Sequence, residues 1–499
     1  MIKTLALLLC DTYKQVHQDQ YPKSLKKLVS YWVPRKSMFS KHSDYNKMVF
    51  FGLQAFIQEF LVDYFNKNFF NRNIEDVINE YSYYMDIQLG EGNYKLDNVV
   101  ELHSLGYLPL AIKALPEGSL VNMGVPCIEV TNTHDDFAWL VQWIECMLQA
   151  ELWKPCNHAT IGHMYYELAK LYYGKTVDDD IDPRNAFADF GMRGMSCMNE
   201  AIRCSAAWLL SSNKTSTIPA LPYIDKYYDA ECKKNNIGKG AISTEHSVMG
   251  ANYALDGEER TFVKRLLTKI YPNASFSMVS DTYDYWGMID YILPSFKKEI
   301  MEHNGTLFVR PDSGDQFEVV TKTVEKLWMT FGGSLNTKGF KVLDPHIRVI
   351  LGDGSTLACV RKIWIYLEEH GFAANNVIFG VGAFCFTAIF EGERMIVNTR
   401  DTYGIAAKAT YAIMGDDKEY FIYKDPKTDT GHLKKSHKGL VFVEKDVDDF
   451  KYTDELMLED YMKMIKNGHK NAMQLVFMDG EMFNYETFTT IRERLANQK

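Results

Sequence analysis

The chain has 499 residues, 46% of them apolar, and its 55 basic against 65 acidic side chains leave a formal charge of −10. Such a length and apolar content bury at least one large core and predict two or three substructures. The negative balance excludes a general affinity for nucleic acid or anionic membrane, both of which reward a basic surface, so an anionic substrate must be held by a local cluster of cations.

At the start, residues 1–10 hold a short apolar run that imitates a signal peptide, but it ends on Asp11-Thr12-Tyr13-Lys14 without a small-residue cleavage site, and export is not expected. No apolar run approaches the roughly 20 residues a membrane-spanning helix needs. Nine cysteines without a CxxC pair suggest neither a disulfide framework nor a zinc site, and predict a reducing, cytoplasmic setting. Residues 106–118 alternate apolar and polar and close on Gly118, predicting a strand and a turn. The acidic stretch 177–183 is the one linker-like segment and a candidate boundary.

Beyond it, Asp189-Phe190-Gly191-Met192-Arg193-Gly194 sets a ring and a guanidinium in a glycine-flanked turn. A ring face can stack a flat heterocycle, although a lone Phe is more often core. Glu245-His246-Ser247 is a further titratable cluster. Four times from Met278 to Gly382 an apolar run stops on a loop rich in Gly, Asp, Ser and Arg: Met278-Val279 before Asp281, Leu307-Phe308-Val309 before Arg310-Pro311-Asp312-Ser313-Gly314, Val349-Ile350-Leu351 before Gly352-Asp353-Gly354, and Val377-Ile378-Phe379 before Gly380-Val381-Gly382. The repeat, about 30 to 40 residues, is the length of a strand, a loop and a helix, and predicts successive βα units of a parallel sheet or barrel. Between them, Phe317, Val320, Val324, Leu327 and Trp328 fall on one helical stripe, and Leu357, Val360, Trp364 and Leu367 on another. These stripes are core and carry no chemistry. Near the end, residues 424–438 form a lysine-rich loop with Lys424, Lys427, Lys434, Lys435 and Lys438, readable as solvated surface or as a phosphate clamp.

Parallel strands place their carboxyl-terminal loops on one face, where α/β enzymes build their sites. There Arg310 can read phosphate by paired hydrogen bonds, and Asp312 can hold a ribose hydroxyl or a metal-bound water. Gly352 and Gly382 let phosphate approach backbone amides. Each motif is weak alone; together they predict a phosphorylated, ribose-bearing substrate.

Taken with Asp11-Thr12-Tyr13-Lys14, His17, Tyr21-Pro22, Gly106-Tyr107-Leu108-Pro109, Thr399-Arg400-Asp401, Lys408 and Lys424-Asp425-Pro426, these motifs resemble the nicotinamide phosphoribosyltransferase family over nearly the whole chain, in a form closer to bacterial and phage members than to animal ones. The resemblance implies an irregular α/β barrel of the type II phosphoribosyltransferases, residues 181–397, beside a mixed α+β domain built from both chain ends, 1–180 and 398–499. It further implies a head-to-tail homodimer with shared sites, and a pentosyltransferase reaction. Nicotinamide and phosphoribosyl pyrophosphate become nicotinamide mononucleotide and pyrophosphate in NAD salvage, with Mg²⁺ on the donor and ATP as a coupling substrate.

The resemblance also implies roles. Phe190, with Tyr13 of a second copy, would sandwich the nicotinamide ring, and Arg193 would hold the nucleotide product. Arg310 would bind near the amide and the donor, Asp312 the ribose, with Asp281 in the metal and water network behind them. Gly352, Asp353 and Gly382 would line the ribose and 5′-phosphate pocket. His246 would be the histidine that ATP phosphorylates, and Arg35, Arg400, Lys408, Lys424 and Lys434 would grip pyrophosphate. No direct protein ligand to a metal is expected, since Mg²⁺ would sit mainly on the phosphates.

Three departures stand out. Ser216, in Lys214-Thr215-Ser216-Thr217, occupies the position of a family Asp that accepts from the amide and repels nicotinate, and a hydroxyl supplies no such repulsion. Residues 384–398 look longer than the usual link, which suits a surface hairpin or room for a larger donor, ADP-ribose pyrophosphate, that would yield NAD directly. Ala406 replaces a phosphate-binding Ser of animal members. A non-catalytic nucleotide-binding relative and an unrelated sugar-phosphate barrel are the rival readings; the latter lacks a clear Schiff-base Lys or catalytic carboxylate at a strand end.

Overall fold

The computed structural model describes residues 4–39, 46–428, 435–447 and 449–498. The chain folds as two compact units, one of residues 1–160, 224–230 and 399–499 and the other of residues 161–223 and 231–398. The strands of their two main sheets, in chain order, are β1 (Leu25–Val33), β2 (Leu110–Ala114), β3 (Ile128–Asn132), β4 (Phe187–Asp189), β5 (Ile242–Ser243), β6 (Phe276–Val279), β7 (Leu307–Arg310), β8 (Ile347–Leu351), β9 (Val377–Val381), β10 (Ala406–Met414), β11 (Glu419–Phe421), β12 (Gln474–Met478) and β13 (Glu481–Met482).

In the first unit the order is β11-β10-β1-β3-β2-β12-β13, every neighbour antiparallel. Strands from the amino-terminal part therefore pair with strands from the carboxyl-terminal part, β1 with β10 and β2 with β12. The alternation expected in residues 106–118 appears as β2, whose first, third and fifth residues are buried, and Gly118 turns the chain at a φ of +80°.

The second unit is a parallel sheet in the order β4-β9-β8-β7-β6-β5. The four βα units expected from the repeat supply β6 to β9. The two edge strands, β4 and β5, were not expected: each has only two or three residues, too few for alternation to register. Between the edges, residues 213–216 act as an irregular stave. Asp189 N–H donates to Lys214 O at 3.3 Å on one side, and Thr215 N–H to Lys239 O at 3.3 Å on the other. The sheet thereby curls into an irregular barrel.

Helix α1 (Gln316–Phe331) starts at Asp315, whose carboxylate accepts from Glu318 N–H, and helix α2 (Leu357–Glu369) at Thr356, whose hydroxyl accepts from Cys359 N–H. Val320, Val324 and Leu327 of α1 and Val360, Trp364 and Leu367 of α2 are fully buried, as the stripes predict. Phe317 and Trp328 lie at the margin, packed on Tyr366 and Phe372. Trp364 meets Phe187, Phe379 and Tyr172 with ring centroids 5.3 to 5.4 Å apart, tying α2 to strands β4 and β9.

That packing sets an expected outcome. Trp364→Ala should lower unfolding stability by about 3–5 kcal/mol, while Ile365→Ala, at a neighbouring position 42% exposed, should change it by less than about 0.5 kcal/mol. Urea titrations followed by circular dichroism check this, and equal shifts in the two variants would contradict the packing.

Candidate active site

All six barrel strands run in one direction, so their carboxyl ends share one edge, and each ends at a motif singled out from the sequence. After β4 comes Phe190, after β5 His246, after β6 Asp281, after β7 Asp312, after β8 Gly352-Asp353, and after β9 Gly382.

Phe190 N–H donates to Val381 O at 2.9 Å, and its ring abuts Gly380, where a Cβ would overlap two ring carbons. Gly380 is thus required by close approach, which seats the ring against bare backbone. Beside it Asp189, 3% exposed, accepts from Gly191 N–H at 2.7 Å, Thr215 Oγ1 at 2.8 Å and Thr217 Oγ1 at 3.2 Å, while its own carbonyl accepts from Ser216 N–H at 2.9 Å. Ser216 is exposed between two buried threonines, and Arg193 is exposed in the turn that follows.

Arg310 is hydrogen-bonded through both Nη atoms and lies beside a carboxylate. One Nη donates to Ser243 Oγ at 2.6 Å, the other to Thr244 O at 3.0 Å, and Nε lies 3.4 Å from Asp312 Oδ2. A Cβ at Gly352 would overlap Asp312 Oδ1, so only glycine lets that carboxylate rest on the β8 turn. Asp281 Oδ2 accepts from Asp312 N–H at 3.0 Å and from the Ser313 hydroxyl, which shapes the β7 loop. His246 opens the helix His246–Asp256, with Nδ1 3.1 Å from Thr282 Oγ1 and Nε2 3.8 Å from Asp312 Oδ2. Gly382 faces Asp353: a Cβ there would lie 3.6 Å from Asp353 Oδ1.

Burial pushes the Asp312 carboxyl above its ordinary pKa; Arg310 opposes the shift, Asp281 and Asp353 add to it, and His246 opposes it. Asp281 Oδ1 and Asp312 Oδ1 are buried without a hydrogen-bond partner. Anionic oxygens left so are open to a cation or to the water around one. Among the described residues no group of three or more His, Cys, Asp or Glu has the arrangement of a metal site.

The remaining candidate residues belong to the first unit, and the 388–397 hairpin to the second. Tyr13 is 53% exposed. Arg35 Nε donates to Gly404 O at 2.9 Å, and exposed Arg400 pairs with Asp401 at 3.2 Å in the turn before Gly404. Lys408 lies 2.9 Å from Glu145, which Lys14 also meets at 2.8 Å, and although burial works against it, the two ammonium groups hold Glu145 below the usual carboxylate range. Lys424 N–H donates to the Ser436 hydroxyl at 2.8 Å and its carbonyl accepts from Ser436 N–H at 3.0 Å, whereas Lys434 lies outside the described residues. Ala406 is buried at the start of β10. Residues 388–397 form a hairpin, Ala388–Glu391 against Arg394–Val397, with Ile389 and Ile396 buried.

Sequence reasoning missed the partners that hold these groups. Ser243 and Thr244 orient Arg310, Asp189 with Thr215 and Thr217 orients Phe190 and Ser216, and Glu145 holds Lys408. The one available signal was an Asp preceding Phe190-Gly191; the rest are ordinary residues whose neighbours are distant in the chain.

Residues 185–481 match the nicotinate phosphoribosyltransferase (NAPRTase) family, and residues 5–112 match the nicotinamide phosphoribosyltransferase N-terminal domain. A nicotinamide phosphoribosyltransferase of Acinetobacter baylyi is 36% identical over 98% of this chain and 96% of its own, and one of Xanthomonas campestris pv. campestris is 29% identical over 97% of both. Among solved structures, a nicotinate-nucleotide pyrophosphorylase from Pyrococcus furiosus covers 98% of this chain and 94% of its own with a TM-score of 0.57. Human nicotinic acid phosphoribosyltransferase covers 97% of this chain and 92% of its own with the same score; at 14% identity both speak for the fold alone. Matched by family along most of its length and aligned almost end to end with relatives of that name, the chain belongs to the nicotinamide phosphoribosyltransferase family.

Proposed function

We propose that this protein joins nicotinamide to phosphoribosyl pyrophosphate, releasing pyrophosphate and nicotinamide mononucleotide, as a salvage step toward NAD. The observation that carries the reading is the meeting, on one barrel edge, of a ring seated on bare backbone at Phe190 with Arg310, Asp312 and the glycine turns at 352 and 382. Those groups suit a flat base, a ribose and a phosphate respectively.

The chemistry needs alignment and charge more than proton transfer. The pyridine nitrogen has a free lone pair, so no general base is required to create the nucleophile. Phe190, facing Tyr13 of a second copy, would hold the ring with that nitrogen toward ribose C1. As the bond to pyrophosphate lengthens, positive charge grows on the sugar and negative charge on the leaving group. Asp312 would answer the first, while Arg310, with Arg35, Arg400, Lys408, Lys424 and Lys434 as further candidates, would answer the second. Arg193 would retain the nucleotide.

The unpartnered oxygens of Asp281 and Asp312 suit Mg²⁺, which these residues and Asp353 would hold through its water shell and the donor's phosphates. When bound, it supplies charge neutralisation on the pyrophosphate. His246, exposed and beside Asp312, would accept a phosphoryl group from ATP to drive the equilibrium. Nine cysteines without a disulfide accord with a cytoplasmic setting.

Purified protein with nicotinamide, Mg²⁺ and phosphoribosyl pyrophosphate should yield nicotinamide mononucleotide by mass analysis, and chelation of divalent cations should abolish it. Arg310→Ala should lower kcat/KM by about a hundredfold or more. Product formed with ADP-ribose pyrophosphate alone would replace this reading by direct NAD synthesis. Shared sites make a separate expectation: inactive Tyr13→Ala and Arg310→Ala chains, mixed and allowed to exchange, should recover about one quarter of wild-type turnover, because half the dimers then contain one intact site. No recovery would mean that each site is built from a single copy.

A further inference from the structure

We propose that Asp189 determines which base the site accepts: it is the positioning residue that joins the two walls of the ring slot, and it is the fixed negative charge that Ser216 does not provide. The inference rests on the proposed transfer to nicotinamide and names the origin of its base selectivity.

The positioning half follows from the bonds. One carboxylate oxygen holds Gly191 N–H, the amide just past the ring of Phe190; the other holds the hydroxyls of Thr215 and Thr217, on either side of Ser216. The Asp189 carbonyl takes Ser216 N–H, and Thr215 Oγ1 is 2.8 Å from Ser205 Oγ, which anchors it from behind. One buried side chain therefore fixes the spacing between the ring platform and the exposed Ser216. Neither threonine hydroxyl is left to turn toward a ligand.

The charge half follows from the partners. Every group on the Asp189 carboxylate is a neutral donor, an amide or a hydroxyl, and no Lys or Arg pairs with it among the described residues. Hydrogen bonds to neutral donors stabilise an anion without cancelling its field, and burial weakens the screening by water. A base carrying a carboxylate beside Ser216 would be brought next to this charge and repelled, whereas an amide would not. The same field favours the pyridinium that forms as the nitrogen bonds to C1.

The test measures kcat/KM for nicotinamide and for nicotinate, and KM for phosphoribosyl pyrophosphate, in wild type, Asp189→Asn, Thr217→Val and Thr217→Ser. Asp189→Asn should shrink the preference for nicotinamide by about tenfold or more, with the donor KM unchanged. Thr217→Val, which keeps the charge and removes one bond, should raise KM for both bases alike and leave their ratio, and Thr217→Ser should restore wild-type behaviour. An unchanged ratio in Asp189→Asn, or base and donor KM rising together in either variant, overturns the proposal. Where Asp189→Asn does not fold, Thr217→Val alone decides the positioning half, an unchanged base KM overturning it. Wild type that turns over neither base would instead sink the proposed function itself.

Discussion

Parallel pairing is the constraint on which this protein depends. A parallel ladder requires that each strand be followed by a crossover before the next can join, so every turn that leaves a strand end leaves from the same edge. Six such ends put an aromatic ring, a histidine, an arginine, three aspartates and two glycine turns within reach of one another, although up to 192 positions separate them in the chain, from Phe190 to Gly382. No single loop could assemble that set. The burial of the strands, complete at all four residues of β6, is what makes the edge rigid.

The edge is then shaped by close backbone approach. Gly380 and Gly352 are not hinges; they are places where a side chain from a neighbouring strand end needs the volume a Cβ would occupy, the ring of Phe190 in one case and the carboxylate of Asp312 in the other. Each glycine thereby converts sheet register into a fixed side-chain position. The polar groups are secured in the same manner, by partners on nearby strand ends: Ser243 and Thr244 of the β5 end, two strands over, for Arg310, and Asp281 of the adjacent β6 end for the β7 loop.

Charge is distributed unevenly over this frame. A protein with an excess of acidic residues carries three aspartates beside one arginine at the barrel edge, and burial raises the pKa of Asp312 among them. Three carboxylates so close repel a bare anion and attract positive charge. Cations in the first unit are held differently, Lys14 and Lys408 on the two oxygens of one glutamate, Glu145, which fixes the orientation of both ammonium groups.

Much of this was legible before any coordinates. Apolar runs of two or three residues ending on loops of Gly, Asp, Ser and Arg at a regular interval are local facts, and they determined β6 to β9 and the edge that carries their loops. The order of motifs along the chain determined the family. What tertiary structure alone decided is how the residues are held: that β4 and β5, too short to show a period, complete the sheet; that residues 213–216 bridge its edges; and that Asp189 bonds at once to the Gly191 amide past Phe190 and to the threonines that flank Ser216. The reason is physical. Periodicity records which face of an element is buried, whereas a hydrogen bond between residues 26 or 28 positions apart exists only once the sheet has curled.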